Sequence, residues 1–212
     1  MRALSSLLFV SLVACGSSEP VAVTPPPKPA PVTAPAVTTA AAPVAPGPTM
    51  ERLAADTPKT TVAGNSFVAP AEWGITVREP ATILEPPEGG SHVAIIDVKA
   101  SDADAAVAAA WKAYRPDAKW PLKLKNDLPD KDGWSNRRLY VYQTSPNERR
   151  DVVANVGRAG EMWTVVLYDM AHAVGEKRGA QVRVILDRLL PKGHERESFA
   201  GKTAHKLDKE RI

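Results

Sequence analysis

The sequence predicts an α+β domain: an antiparallel sheet with two main helices packed on it, preceded by a disordered Pro/Ala-rich tether. Three observations predict it. Segments with strand character and segments with helical periodicity follow in the order strands, helix, strands, helix, with no βαβ alternation and no internal repeat. The connections between the later strands are only a few residues long, which favours antiparallel pairing. Residues Val93 to Val98 are apolar on both alternating sets, as expected of a central strand covered on both faces.

The chain opens with Arg2 and the apolar run Leu7 to Ala14, too short to span a bilayer as a stable helix. Leu12-Val13-Ala14-Cys15 then places a small residue before the only cysteine. Charge, apolar run, small residue and cysteine in this order form a lipoprotein lipobox. Residues 1–14 are therefore expected to be a cleaved signal peptide, and Cys15 the lipidation site. Gly16 after the cysteine, with no aspartate there, points to the outer membrane facing the periplasm, as in lipoproteins of Gram-negative bacteria.

Residues 15–64 are expected to carry the lipid and act as linker. From Glu19 to about Met50 the sequence is almost wholly Pro, Ala, Val and Thr, which cannot build a core. Repeated prolines favour polyproline II, and about 35 residues at roughly 3.1 Å each reach about 100 Å. A spacer accounts for this composition, and a proline-rich ligand is the alternative.

The folded domain is expected over residues 65–191. Ser66 to Pro70 and Trp73 to Val77 read as short strands broken by turn residues. Ala81 to Glu85 and His92 to Lys99 form a hairpin joined by Pro86-Pro87-Glu88-Gly89-Gly90. Ser101-Asp102-Ala103-Asp104 matches a capping box, and Val107, Trp111 and Tyr114 then recur at helical spacing until Pro116. Asp117 to Asn136, with Trp120-Pro121 and Asp132-Gly133-Trp134, reads as irregular. Strands are expected at Arg138 to Thr144, Asp151 to Arg158 and Glu161 to Tyr168. A last helix from about Glu176 to Leu190 puts Val182, Ile185, Leu186 and Leu189 on one stripe, with Arg183 and Asp187 spaced to pair. Pro191 and Gly193 stop it. Phe67, Trp73, Trp111 and Trp163 are the expected core aromatics, and residues 192–212 a solvated polar tail.

The formal charge of +3 includes Arg2, so the chain without its signal is only slightly basic, and charges of both signs are interspersed. Nucleic acid is an unsuitable partner. With one cysteine there is no intramolecular disulfide, so stability must come from the core. No Gly-x-Ser-x-Gly elbow, Ser-x-x-Lys pair, Lys-Thr-Gly strand or phosphate-binding glycine loop occurs. No catalytic residue and no cofactor is implied.

Two constellations remain. Asp169, His172 and Glu176 would share a face if helical, which suits either a metal ion or ordinary helix capping. Trp120, Lys123, Lys125 and Trp134 place aromatic and basic residues in one predicted loop, together with Asp127 and Asp130. Such a loop suits stacking on an anionic or sugar-containing cell-wall polymer, or an envelope protein; the alternative is tryptophans folded back on the domain.

Three segments resemble exported bacterial serine hydrolases: Trp111 to Leu128, including Trp120-Pro121-Leu122-Lys123-Leu124-Lys125; Thr144 to Asp151; and Leu189 to His205. The resemblance is to the N-terminal accessory domain that precedes a β-lactamase-like catalytic domain of the class C and D-alanyl-D-alanine carboxypeptidase family. That family's catalytic Ser-x-x-Lys, tyrosine and Lys-Thr-Gly-like strand would lie beyond Ile212, so no position here inherits them. The opening Phe67-Val68-Ala69-Pro70-Ala71-Glu72-Trp73 is similar to PsbP-like sheet-and-helix domains, which are mostly non-catalytic assembly modules. The resemblances imply a lipid-anchored envelope module with a binding or assembly role, or alternatively a fragment or partner of a serine hydrolase acting on β-lactam, peptide or ester substrates.

Overall fold

In the computed structural model, which describes residues 49–196, the chain runs through ten strands and two helices. These are β1 (Glu51–Arg52), β2 (Thr57–Thr60), β3 (Ser66–Ala69), β4 (Gly74–Arg78), β5 (Ala81–Glu85), β6 (His92–Val98), α1 (Ala103–Tyr114), β7 (Leu122–Asp127), β8 (Ser135–Tyr142), β9 (Arg150–Ala159), β10 (Met162–Ala171) and α2 (His172–Arg188). Eight strands form one sheet in the order β1-β4-β5-β6-β10-β9-β8-β7, every pairing antiparallel, while β2 and β3 pair apart from it. The predicted α+β class is the observed one. The signal segment, Cys15, most of the tether and residues 197–212 lie outside the described residues.

β6 sits between β5 and β10, and both of its faces are covered. Its alternation sorts the core into two layers: Ala94 and Ile96 join Trp163, Val165 and Leu167 beneath α1, whereas Val93 and Ile95 join Val166 and Met170 beneath α2 and β3. This two-sided burial explains why β6 and β10 read as continuous apolar runs.

α1 lies close to the sheet because its inward face is small, with Ala103, Ala106, Val107 and Ala110 set against Ala81, Ala94 and Ala154. Its cap is Asp102, whose carboxylate accepts from the Ala105 amide at 2.8 Å, while Ser101 donates its hydroxyl to that carboxylate at 2.8 Å. The capping signal was correct, with the cap one residue later than a Ser101 box implies. Arg115 ends the helix before Pro116.

Several expectations are corrected. Strands begin at Glu51 and not at Asn65: Leu53 is buried, its amide bonds the Trp73 carbonyl at 3.0 Å, and β2 is the antiparallel partner of β3. The segment expected to be irregular contains β7, exposed along its whole length at the sheet edge. Its alternation of leucine and lysine is what an edge strand needs, since charge and the bulge at Leu122/Leu124 discourage further pairing.

α2 begins at His172, before Glu176, and takes Gly175 into its first turns. No side chain caps it; Ser91 Oγ meets the Ala171 amide at 3.1 Å and the Arg149 carbonyl meets the His172 amide at 2.8 Å. Val182, Ile185 and Leu189 are buried, but Leu186 faces sideways and is 38% exposed. No ion pair joins Arg183 to Asp187 among the described residues. Glu88 in the β5–β6 turn clasps the helix through Arg178 at 2.7 Å and Lys177 at 2.8 Å, which draw its carboxyl down to about 2.

Phe67, Trp73 and Trp163 are core residues as expected, whereas Trp111 is half-buried at the rim. Just beyond the Leu190–Ser66 bridge, the start of the predicted tail is packed on the domain: the Lys192 amide bonds Asn65 Oδ1 at 3.1 Å, and Arg196 pairs with Asp132 at 2.7 Å. No helix among the described residues is long and apolar enough to cross a membrane.

Candidate binding groove and the buried polar clusters

A helix about 10 Å across covers roughly two strands spaced about 4.8 Å apart. On the second face of the sheet α2 lies over β10 and the near side of β9 and rests against β3, and among the described residues no helix covers the strands beyond. Along the flank of α2 the surface is concave. Leu139, Val153, Val166, Tyr168 and Leu186 wall a cavity of about 210 Å³, in which Asn155 supplies an amide. It shares Asn155, Val166 and Leu186 with a second cavity of about 210 Å³ that adds Trp134, Thr164 and the charged Lys131, Asp132, Arg137 and Asp187. Leu124, paired with Val141 and 47% exposed, continues the apolar surface toward the edge. An apolar concavity with a few polar groups at one end is the usual form of a ligand or peptide site.

The residues expected to form one aromatic and basic loop are divided between the two layers. Trp134 is in the core under α2, its indole N–H donating to the Leu189 carbonyl at 3.0 Å. Trp120 belongs to the α1 side, 5.6 Å from the Trp111 ring, with the Arg115 guanidinium 5.8 Å from its centroid and its N–H on Glu148 at 3.3 Å. Lys125 pairs with Asp104 of α1 at 3.1 Å, and Lys123 is exposed. Chain proximity suggested a common site; strand β7 and the following turn carry the two tryptophans apart.

Asp169, His172 and Glu176 are likewise not assembled. Asp169 is still in β10, fully buried and turned toward α1, where it accepts from Arg150 Nε at 2.5 Å, Arg115 at 2.9 Å and the Tyr114 hydroxyl at 3.0 Å. His172, on the surface, meets Asp151 at 2.8 Å, with Glu176 3.8 Å away. The Asp151 carboxylate raises the His172 imidazole above its ordinary value. No group of three or more His, Cys, Asp or Glu placed to hold a metal occurs among the described residues. The junction does not use Asp169 or Glu176 as a cap either, because a backbone still in strand geometry aims Asp169 at the opposite face.

The Asp169 cluster extends to His92, whose Nδ1 is 2.8 Å from the Tyr114 hydroxyl. That hydroxyl has one proton and an ionised Asp169 can only accept, so Tyr114 donates to Asp169 and His92 Nδ1–H donates to Tyr114. Burial lowers the His92 pKa, with a smaller opposing pull from Glu85 and Asp169. Burial and the adjacent Asp169 raise that of Tyr114. At the other end of β6, buried Asp97 accepts from Asn65 Nδ2 at 2.9 Å, Thr164 Oγ1 at 2.7 Å and the Ala63 amide at 2.9 Å. Asp97 was overlooked, and Asp169 was read with His172 and Glu176 in place of its actual partners, although Ile96-Asp97-Val98 and Tyr168-Asp169-Met170, a charge inside an apolar strand, were available as signals. Each is consumed by fixed internal donors, so neither is free to act as a base.

No family model matches the chain, and no curated protein matches it. Among solved structures, the solution structure of cyanobacterial PsbP from Synechocystis is similar over 64% of this chain and 92% of that chain, at 12% identity and a TM-score of 0.47. This is a distant likeness to the PsbP-like arrangement, and the function of the present chain is argued from its own residues.

Proposed function

We propose that this chain is a non-catalytic, lipid-anchored module of the bacterial cell envelope that acts by contact through the groove beside α2. The observation that carries the reading is the apolar wall formed by half-buried Leu139 and Val153 with exposed Leu186 and Leu124 beside α2, while Asp97 and Asp169 are already occupied internally. Exposed contiguous apolar surface in a soluble domain marks a contact site. The lipobox ending at Cys15 supports anchoring to the membrane, with the outer membrane facing the periplasm as the destination, and the Pro/Ala-rich segment supplies reach. Kinship with the leading domain of β-lactamase-like serine hydrolases rests on the three sequence segments alone.

The test is a photo-crosslinking side chain at position 139 in the producing cells, with position 161 in the β9–β10 turn as control. A discrete adduct is expected at 139, absent at 161 and lost on Leu186→Asp. Equal labelling at both positions removes the groove from the function. Turnover of a chromogenic β-lactam or small ester by the purified chain would overturn the non-catalytic reading.

A second reading has its own observation: Arg115 lies between the Tyr114 and Trp120 rings at 5.5 and 5.8 Å, a cation and indole surface suited to a cell-wall polymer. Trp120→Ala, with Lys123→Ala as companion, is then expected to weaken retention on cell-wall preparations with an unchanged melting temperature; equal retention excludes it.

A further inference from the structure

Asn155 is out of character with the face it occupies. Strand alternation sets Val153, Asn155 and Gly157 on the α2 side of β9, and the register places Asn155 between Val166 of β10 and Leu139 of β8. It is half-buried there, and among the described residues its carboxamide has no hydrogen-bond partner. By contrast, Asn65, Asp97 and Asp169 are each held by several internal groups. Polar groups inside a fold are normally paired, so an unpaired amide set in an apolar wall is available to a ligand.

Asn155 lines both cavities beside α2 and so marks the seam between them. On one side Leu139, Val153 and Leu186 wall the apolar hollow of about 210 Å³, ample for one leucine-sized side chain. On the other side the charges are Lys131, Asp132, Arg137 and Asp187. Asp132 is clasped by Arg196 at 3.1 and 2.7 Å, with Lys131 at 3.8 Å, and Asp187 lies in the field of the same guanidinium. Arg137 donates to the Pro129 carbonyl at 2.8 Å and pairs with no carboxylate among the described residues. The polar end therefore carries a cation left over for a ligand anion.

We propose that the groove takes an extended peptide segment of a partner protein, with an apolar side chain in the Leu139 hollow, a peptide group paired with Asn155, and a carboxylate two residues on at Arg137. This rests on the reading of the groove as a contact face and names its partner's chemistry. A carboxamide offers one acceptor and two donors, and a peptide group answers it with an N–H and a C=O at once. Arg137 precedes Leu139 by two residues on β8, about 7 Å along the strand, and side chains two apart in an extended peptide have that spacing and point the same way.

The test uses the full chain with Cys15→Ser and a fluorescein-labelled heptapeptide whose central residues are leucine, alanine and aspartate, read by anisotropy. Saturable binding is expected. Methylating the nitrogen of the leucine–alanine peptide bond should weaken binding about tenfold, Asn155→Leu should weaken the unmethylated peptide about as much, and methylation should have no further effect on that variant. Replacing the peptide's aspartate by lysine should weaken binding about fivefold, and Arg137→Gln should abolish that preference. The two altered peptides on the unsubstituted groove give the same information if a variant fails to fold. Absence of saturable binding, or methylation that weakens binding equally with and without Asn155, overturns the proposal. If dansyl-undecanoate binds and is lost on Leu186→Asp while the heptapeptide does not bind, the occupant is an acyl carboxylate; the peptide is refuted and the groove stands. If neither probe binds and the crosslinker at position 139 gives no adduct, the groove reading falls as well.

Discussion

Replacing Asp169 by asparagine isolates the electrostatic role of the polar cluster that joins α1 to the sheet. The substitution keeps the shape of the side chain and removes its charge. Arg150 and Arg115 then face each other without the carboxylate that accepted at 2.5 and 2.9 Å, and the Tyr114 hydroxyl loses its ionic acceptor. Removing one partner of a buried pair costs about 3–5 kcal/mol, because the remaining charge is left uncompensated. The side chains of Arg115 and Arg150 are 39% and 19% exposed, so both regain some water and the lower figure, about 3 kcal/mol, applies. With a urea slope of about 2 kcal/mol per molar, the denaturation midpoint should fall by roughly 1.5 M. Arg150 also donates to the Gly90 and Asp169 carbonyls, so Arg150→Met should cost about as much as Asp169→Asn. The more exposed Arg115→Met should cost about 1 kcal/mol. Urea melts followed by tryptophan fluorescence measure all three. A loss below about 1 kcal/mol for Asp169→Asn, or equal losses for the two arginines, would refute the reasoning that burial sets these energies.

Further predictions concern the helix, the pH response and the core. In α2 an added Cβ at Gly179 meets nothing within 4 Å, whereas at Gly175 it collides with the Tyr168 hydroxyl. Gly179→Ala should therefore stabilise by about 1 kcal/mol, the helix-propensity gain, and Gly175→Ala should fail to gain it; calorimetry compares the two. His92 has a folded pKa below its ordinary 6.5, so the unfolded chain takes up the proton first. Stability is full above 6.5 and declines as the pH falls through the folded value, and His92→Gln should remove that decline in melting temperature below pH 6.5. His172, raised by Asp151, acts with the opposite sign, stabilising at low pH and losing that contribution as the pH rises through its folded value. Trp134→Ala empties a core position and orphans the Leu189 carbonyl, and should cost about 3–5 kcal/mol in urea denaturation. If Trp134 were instead a solvent-facing ligand contact, that loss would be near zero.

The sequence by itself determined the class and most of the strand order in the chain. β6 and β10 are apolar on both sets of alternating positions, the turn residues around Gly89 and Gly160 force reversals, and Asp102 marks a helix start. These are local signals, and local backbone preference carries them into the fold without further information. The domain's beginning was misplaced because β2, four residues with a proline, acquires its strand geometry only from β3. β7 was read as irregular for the same reason, since its hydrogen bonds all come from β8.

The site was decided by tertiary structure. Trp120 and Trp134 are close along the chain and end on opposite sides of the sheet, because strand alternation and one bulge choose the face. Asp169 was aimed away from His172 by two further residues of strand geometry before the helix began. The groove has no local signature: Leu139, Val153 and Leu186 look like core residues, and they are only partly covered because α2 is wide enough for just part of the face it lies on. Propensity and periodicity are properties of neighbouring residues, and coverage depends on how many strands a distant helix can shield.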